Sequence, residues 1–247
     1  LERFLASGFS EREIASITLE DCETFWVGFR AQYPNGRTPN ILITRLRHVW
    51  KTALRWKLAS ENPWLEIKKA RQIEREWIAL TDEQELQIFQ AARPPLKDYL
   101  IWARYTGARR LSLVKLEARD IDLTRGLITF RDTKAGHNYS IRIHHVLVGW
   151  FQTWREEHPD ATPTTRILHQ YSDEAVISRA FKRLCDRLGI HGFRFHDWRH
   201  RVGAKLGEAN FHPRIIQAML GHKDPRMALR YTHVSQDVIK NAIESVL

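Results

Sequence analysis

Phe195-His196-Asp197-Trp198-Arg199-His200 is the stretch on which the fold turns. It enters a helix running through Lys205 and sets titratable side chains where a core pattern calls for apolar ones. His196 and Arg199 lie three residues apart and share a helical face, so a neutral imidazole and a guanidinium can converge on one phosphate. His196 and His200 are four apart, which also permits a metal pair. Against that, Asp197 stands where the zinc-protease HExxH pattern needs glutamate, and no third ligand is evident.

Working outward, three more stretches place polar residues against the core pattern. Upstream, Thr106-Gly107-Ala108-Arg109-Arg110 follows an apolar helix over Tyr99 to Tyr105. Gly107 breaks that helix and delivers an arginine at the next turn, where its planar fork suits phosphate oxygens as well as a surface position. Downstream, a helix from Pro213 ends at Gly221 and exposes His222, which taken alone reads as a cap. Leu229-Arg230-Tyr231-Thr232-His233 then offers a tyrosine that is either a nucleophile or a half-buried aromatic. Between these, Leu127 to Phe130 and Tyr139 to Ile143 read as two strands around a turn from which Lys134 projects. Further helices are expected around 82 to 93, 97 to 105, 148 to 154 and 174 to 188.

The N-terminal region has a different character. Residues 1 to 36 hold three bases against six acids, whereas Arg37 to Lys57 hold six bases and no acid. Asn40 to Ala59 reads as a helix, with Leu42, Leu46, Val49, Trp50 and Ala53 on one stripe. Arg47, Lys51 and Arg55 are stacked one turn apart on another face, as candidate phosphate contacts or an ordinary solvated face. Asn62-Pro63 ends this region, the charged run Lys68 to Trp77 reads as a linker, and Thr81 with Gln84 fits a capping box for the next helix. The expected organisation is a helical domain over 1–67, a linker over 68–77 and a second domain over 78–247. It is mainly α with a small antiparallel β-sheet.

Composition narrows the partners. The chain has 247 residues, 43% hydrophobic and 28% charged, which excludes disordered and collagen-like classes. No apolar run is long enough to span a bilayer and no signal peptide opens the chain, so a cytoplasmic setting without membrane association is expected. Leu1 in place of Met suggests a chain begun inside a longer reading frame, with an N-terminal piece before it. Cys22 and Cys185 stand far apart with no CxxC, arguing against a disulfide framework or a thiolate metal site. A net charge of +10 favours a polyanion, nucleic acid before anionic membrane.

Taken as an ordered set, TGAR, the hairpin Thr-Lys-Ala-Gly, HDWRH, LGH and RYTHV resemble the tyrosine site-specific recombinases, also called phage integrases. The resemblance covers nearly the whole chain. It implies a helical core-binding domain that clamps double-stranded DNA, followed by a catalytic domain. Residue by residue, Arg109 matches the first catalytic arginine, Lys134 the hairpin lysine, His196 and Arg199 the HxxR pair, His222 the histidine after Leu-Gly, and Tyr231 the nucleophile. Ser112 departs from the pattern, since family members often carry an acid three positions after the first arginine.

The resemblance implies a covalent 3′-phosphotyrosine and a free 5′-hydroxyl, with no metal and no cofactor. The arginines would stabilise charge on the phosphate, His196 would take the phenol's proton, and Lys134 would protonate the leaving oxygen. His222 would donate to the phosphate or buttress the tyrosine segment. Ile239, Ala242, Ile243 and Val246 form an apolar face on a tail helix. It packs either on its own domain or, as the family implies, on a neighbouring subunit of a DNA-bound homotetramer. The expected setting is a bacterial cytoplasm or nucleoid, or a virus acting there, and the expected role is integration or excision of a mobile element. Rival readings are a type IB topoisomerase, which shares the cleavage chemistry, and a catalytically silent DNA-binding regulator. A metal-dependent nuclease is disfavoured because no carboxylate cluster suited to Mg²⁺ accompanies the histidines.

Overall fold

The computed structural model describes residues 4, 7–73, 78–132, 137–171 and 173–231. The chain divides into two compact units, Leu1–Glu76 and Trp77–Leu247.

In the first unit, α1 (Leu19–Ala31) starts at a capping box. The Thr18 hydroxyl accepts from the Asp21 N–H at 3.2 Å, and the Asp21 carboxylate accepts from the Thr18 N–H at 2.8 Å, so two orphan donors of the first turn are satisfied. The second helix, α2 (Arg37–Arg55), begins three residues before the expected Asn40 and ends four before Ala59. Leu42, Ile43, Leu46 and Trp50 of α2 meet Cys22, Trp26 and Phe29 of α1 in one buried cluster with Trp64 and Ile67. Each large apolar side chain so buried contributes about 1.5–3 kcal/mol. The chain beyond Ile67 still lies on this unit. Asn40 exchanges two side-chain hydrogen bonds of 2.8 Å with the Ala70 backbone, and the Ile73 N–H donates to Asn35 O at 3.0 Å.

The second unit is built around α4 (Leu96–Thr106), whose Tyr99, Leu100, Trp102 and Ala103 are buried. Around it lie α3 (Asp82–Ala91), α5 (Arg110–Val114), α6 (His145–Glu157), α7 (Glu174–Arg187), α8 (Asp197–Glu208), α9 (Pro213–Leu220) and α10 (Arg226–Leu229). The expected capping box is present at α3, where Thr81 and Gln84 exchange bonds of 3.2 and 3.1 Å. The sheet is antiparallel in the order β1 (Ile121–Asp122), β2 (Leu127–Asp132), β3 (His137–Arg142). Ile128 faces Ile141 and Phe130 faces Tyr139, so one face of the hairpin joins the core. The hairpin turn 133–136, with Lys134, lies outside the described residues, as does the expected tail helix.

A buried ion cluster fixes α8. Arg201 pairs with Glu85, donates to Leu80 O at 2.7 Å and reaches Asp82 at 3.1 Å, while Arg104 meets the other Glu85 oxygen at 2.7 Å. Arg201 and Glu85 are both buried, so removing Arg201 takes away the most buried cation on the Glu85 carboxylate and leaves it to the half-exposed Arg104, at a cost of about 3 kcal/mol, the low end for a broken buried pair.

Candidate active site

The site assembles where α4, α8 and α9 end or begin. At the end of α4, the Thr106 hydroxyl donates to Trp102 O at 2.6 Å and accepts from the Ala108 N–H at 3.1 Å. Gly107 between them takes φ +61°, and a Cβ there would stand 2.6 Å from the Leu220 side chain, so the turn accepts only glycine without displacement. The chain then runs extended through Arg109, the cap residue of α5. The two neighbouring arginines diverge. Arg110 is spent on α7, bonding to the Ser178 hydroxyl and to Glu174 O at 3.3 Å, whereas Arg109 lies close enough to Arg199 to depress that group's pKa.

Arg199, on α8, is buried and ties the site together. Its guanidinium donates to Gly107 O at 3.0 Å and to Leu220 O. Both carbonyls close the C-terminal ends of helices, α4 and α9, where the macrodipole is negative and a cation is favoured. Burial, and then the Arg109 charge, pull its pKa down to about 10, which leaves it fully protonated at neutral pH. Bonding to Leu220 O also fixes the chain two residues before His222.

His222 is buried, and its Nδ1 has no hydrogen-bond partner among the described residues. Burial first, then Arg199 and Arg109, push its pKa down to about 4, so it stands as a neutral imidazole at pH 7. A buried ring nitrogen without a partner among the described residues, in the field of two arginines, suits a site for an anionic group. His196 precedes α8 and keeps an exposed surface. Crowding of its ring and the charges of His200, Arg199 and Arg110 lower its pKa, an effect that water at its exposed edge softens without reversing.

Tyr231 is the last residue of the described site and is buried on α8. Burial pushes its pKa up, opposed by Arg199 and Arg230. Its ring lies over Gly203, its backbone against Gly207, and parallel to the His222 ring at a centroid distance of 6.4 Å. Its hydroxyl is 2.8 Å from Nδ1 of His200. The structure therefore gives the phenol's contact to His200 and not to His196, which the sequence suggested; the His196 and His200 rings are 5.6 Å apart and perpendicular. HDWRH did contain the signal, since His200 lies on the same helical face as Gly203 and Gly207, but it named no partner for that face. Of the six expected catalytic residues, five converge here and Lys134 lies outside the described residues. Ser112 is buried within α5.

The three residues of the basic stripe in the first unit differ in their surroundings. Arg47 is committed to the fold: Nε donates to Trp64 O at 2.9 Å, and Nη2 to Ile67 O at 2.7 Å and Leu65 O at 3.2 Å. These bonds hold the 64–67 segment against α2, while the side chains of Lys51 and Arg55 are exposed. Both cysteines are free and buried. Among the described residues no helix is long and apolar enough to cross a membrane.

The sequence profile of the phage integrase family matches residues 79–237. The integrase of Salmonella phage P22 is 24% identical over 198 residues, covering 73% of this chain and 49% of its own. The tyrosine recombinase XerA of Pyrococcus furiosus is 25% identical over 252 residues, 99% of this chain and 84% of its own. The chain thus spans about half of the P22 protein, and 64% of the integrase of Mycobacterium phage D29. Among solved structures, the Tn1549 transposon integrase in complex with a circular intermediate DNA superposes with a TM-score of 0.73 at 19% identity, covering 95% of this chain and 87% of that one. A lambda integrase dimer bound to a COC′ core site gives 0.72 at 20% identity, covering 90% and 82%. At such identities the likeness is one of fold.

Proposed function

The chain belongs to the phage integrase family, and from that premise we propose that it is a site-specific DNA recombinase. It cleaves and rejoins strands of double-stranded DNA through a 3′-phosphotyrosine at Tyr231, for integration or excision of a mobile element. The Tyr231 oxygen attacks phosphorus, the bond from phosphorus to the 5′ oxygen breaks, and its energy is kept in the phosphotyrosine for religation to another strand. Arg109 and Arg199 face the non-bridging oxygens, where negative charge grows in the transition state and fixed cations act most strongly. His222, neutral and with Nδ1 unpaired, donates to the same phosphate, and His196 lies at the open edge of the site. Lys134 supplies the proton to the departing 5′ oxygen.

One observation carries this reading: Arg199 bonds to the backbone of the Arg109 turn and of the His222 turn at once, over the helix on which Tyr231 rests. A silent DNA binder has no need of that convergence. In the first unit Lys51 and Arg55 contact phosphates. The tail over 237–247 docks on a neighbouring subunit in a DNA-bound tetramer, and deleting residues after 236 is expected to abolish synaptic assembly while leaving monomer binding.

The test is a library of nicked duplexes used as suicide substrates, followed by denaturing electrophoresis and mass mapping of attached protein. An adduct through a 3′-phosphate on Tyr231, lost in Tyr231→Phe with DNA binding retained, is the expected result. Tight binding with no adduct on any duplex, or an adduct that survives Tyr231→Phe, overturns the proposal.

A further inference from the structure

We infer that His200 is a catalytic residue: its Nδ1 holds the Tyr231 hydroxyl in register and receives its proton when the tyrosine attacks. The inference rests on the recombinase reading above and adds to it a group that the family motif leaves without a role.

The geometry comes from one face of α8. His200, Gly203 and Gly207 are spaced by three and four residues and stack along that face. Tyr231 lies lengthwise on them. A Cβ at 203 would be 2.8 Å from its Cζ and Cε2, one at 207 would be 1.8 Å from its carbonyl oxygen, and its hydroxyl ends 2.8 Å from His200 Nδ1. The two glycines let ring and backbone approach the helix, and the histidine stops the hydroxyl at the end of the track.

The neighbouring groups leave few alternatives for the proton. Arg199, Arg109 and Arg230 carry no acceptor at any working pH. The His222 ring lies parallel to the Tyr231 ring, with an interplanar angle of 11° at 6.4 Å, and its Nδ1 bonds to nothing among the described residues, the Tyr231 hydroxyl included. His196 contacts His200 edge to face, and it is His200 that the Tyr231 hydroxyl meets. An imidazole with its own proton on Nε2 presents Nδ1 as an acceptor, and the phenol O–H donates to it.

The step balances. The phenol proton passes to His200 Nδ1 as the bond from Tyr231 Oη to phosphorus forms. The electron pair of the breaking bond leaves on the 5′ oxygen, which takes a proton from Lys134. Religation runs the same transfers backwards, with His200 returning the proton to the phenol.

The experiment uses the full chain and the duplex found by the suicide-substrate screen, in single-turnover adduct formation. His200→Ala is expected to slow the adduct by about 10²-fold or more, the usual worth of a positioned base, with DNA affinity and melting temperature near wild type. Added imidazole should restore part of the rate in His200→Ala and none in Tyr231→Phe. A duplex with sulfur at the 5′ bridging position, whose thiolate leaves without a proton, should rescue Lys134→Ala and leave His200→Ala slow. A wild-type rate in His200→Ala overturns the inference, as does a slow variant that imidazole leaves unmoved and sulfur rescues. Failure of the wild-type protein to form any adduct would instead overturn the recombinase reading, and the inference with it.

Discussion

Gly203→Ala separates the seating of the tyrosine from the stability of the fold. The added methyl would sit 2.8 Å from Cζ and Cε2 of Tyr231 and 2.9 Å from Cδ2. Ordinary contact begins at 3.4 Å, so the ring must retreat from α8 by up to about 0.6 Å, and the hydroxyl that meets His200 moves with it. Alanine in the middle of a helix is better than glycine by about 1 kcal/mol, which offsets part of the crowding of the Tyr231 ring. The two effects part company: melting temperature should stay within a few degrees of wild type, while misplacement approaching 1 Å costs up to about 10²-fold in rate. Single-turnover adduct formation on the suicide duplex, beside thermal unfolding of the same preparation, reads both. A wild-type rate in Gly203→Ala would refute the reasoning, because it would mean that Tyr231 leaves α8 before it attacks.

The remaining predictions address the anchors and the charges. Arg201→Ala should lose about 3 kcal/mol in chemical denaturation, since Glu85 would be left with Arg104 as its one close cation. Lys51→Ala with Arg55→Ala should reduce the slope of log affinity against log salt by about 1.8, whereas Arg47→Ala should leave the slope unchanged and destabilise the first unit by on the order of 2–3 kcal/mol. His222 titrates lower folded than unfolded, from 6.5 to about 4, so its contribution is intact above pH 6.5 and is lost as pH falls through that window. Unfolding followed from pH 7 to 4 should show a slope that His222→Gln lowers by up to ~1.4 kcal/mol per pH unit, the remainder being the share of His196, and an equal slope in that variant would exclude His222 as a source.

Much of the architecture was legible because it rests on short-range rules. The Thr81–Gln84 cap, the stop at Gly221 and the 127–130 and 139–143 strands depend on neighbours within a few residues. β1 was missed because two residues carry no alternation, and the early start of α2 because Arg37 to Pro39 contribute only a single apolar residue to its stripe. The site was legible as a set of residue types in order, and illegible in its pairings. Arg47 and Arg55 look alike on a helical projection, yet the carbonyls of Trp64, Leu65 and Ile67 that claim the first come from a loop whose path no periodicity reveals. Arg109 and Arg110 are separated in the same way, by Ser178 on a helix 68 residues later.

Arg199, His200 and Arg201 give the clearest case of that difference. In sequence they are a basic triplet; on an α-helix successive side chains diverge by about 100°, so the three must face three environments. Arg199 turns to the carbonyls of Gly107 and Leu220, Arg201 to Glu85 and Leu80, and His200 is left facing Tyr231. The two arginines therefore act on the third residue without touching it. Each fixes the rotation of α8 from a different side, and a helix locked at two angles cannot turn His200 away from the phenol. Loosening Arg201 should thus weaken the Tyr231 contact as well as the fold, which makes Arg201→Met, filling the same space without a charge, the informative companion to Arg201→Ala. If stability returned in Arg201→Met together with Glu85→Met while adduct formation stayed slow, rotation of α8 and not loss of folded protein would be the cause; recovery of both together would show that packing alone sets the angle.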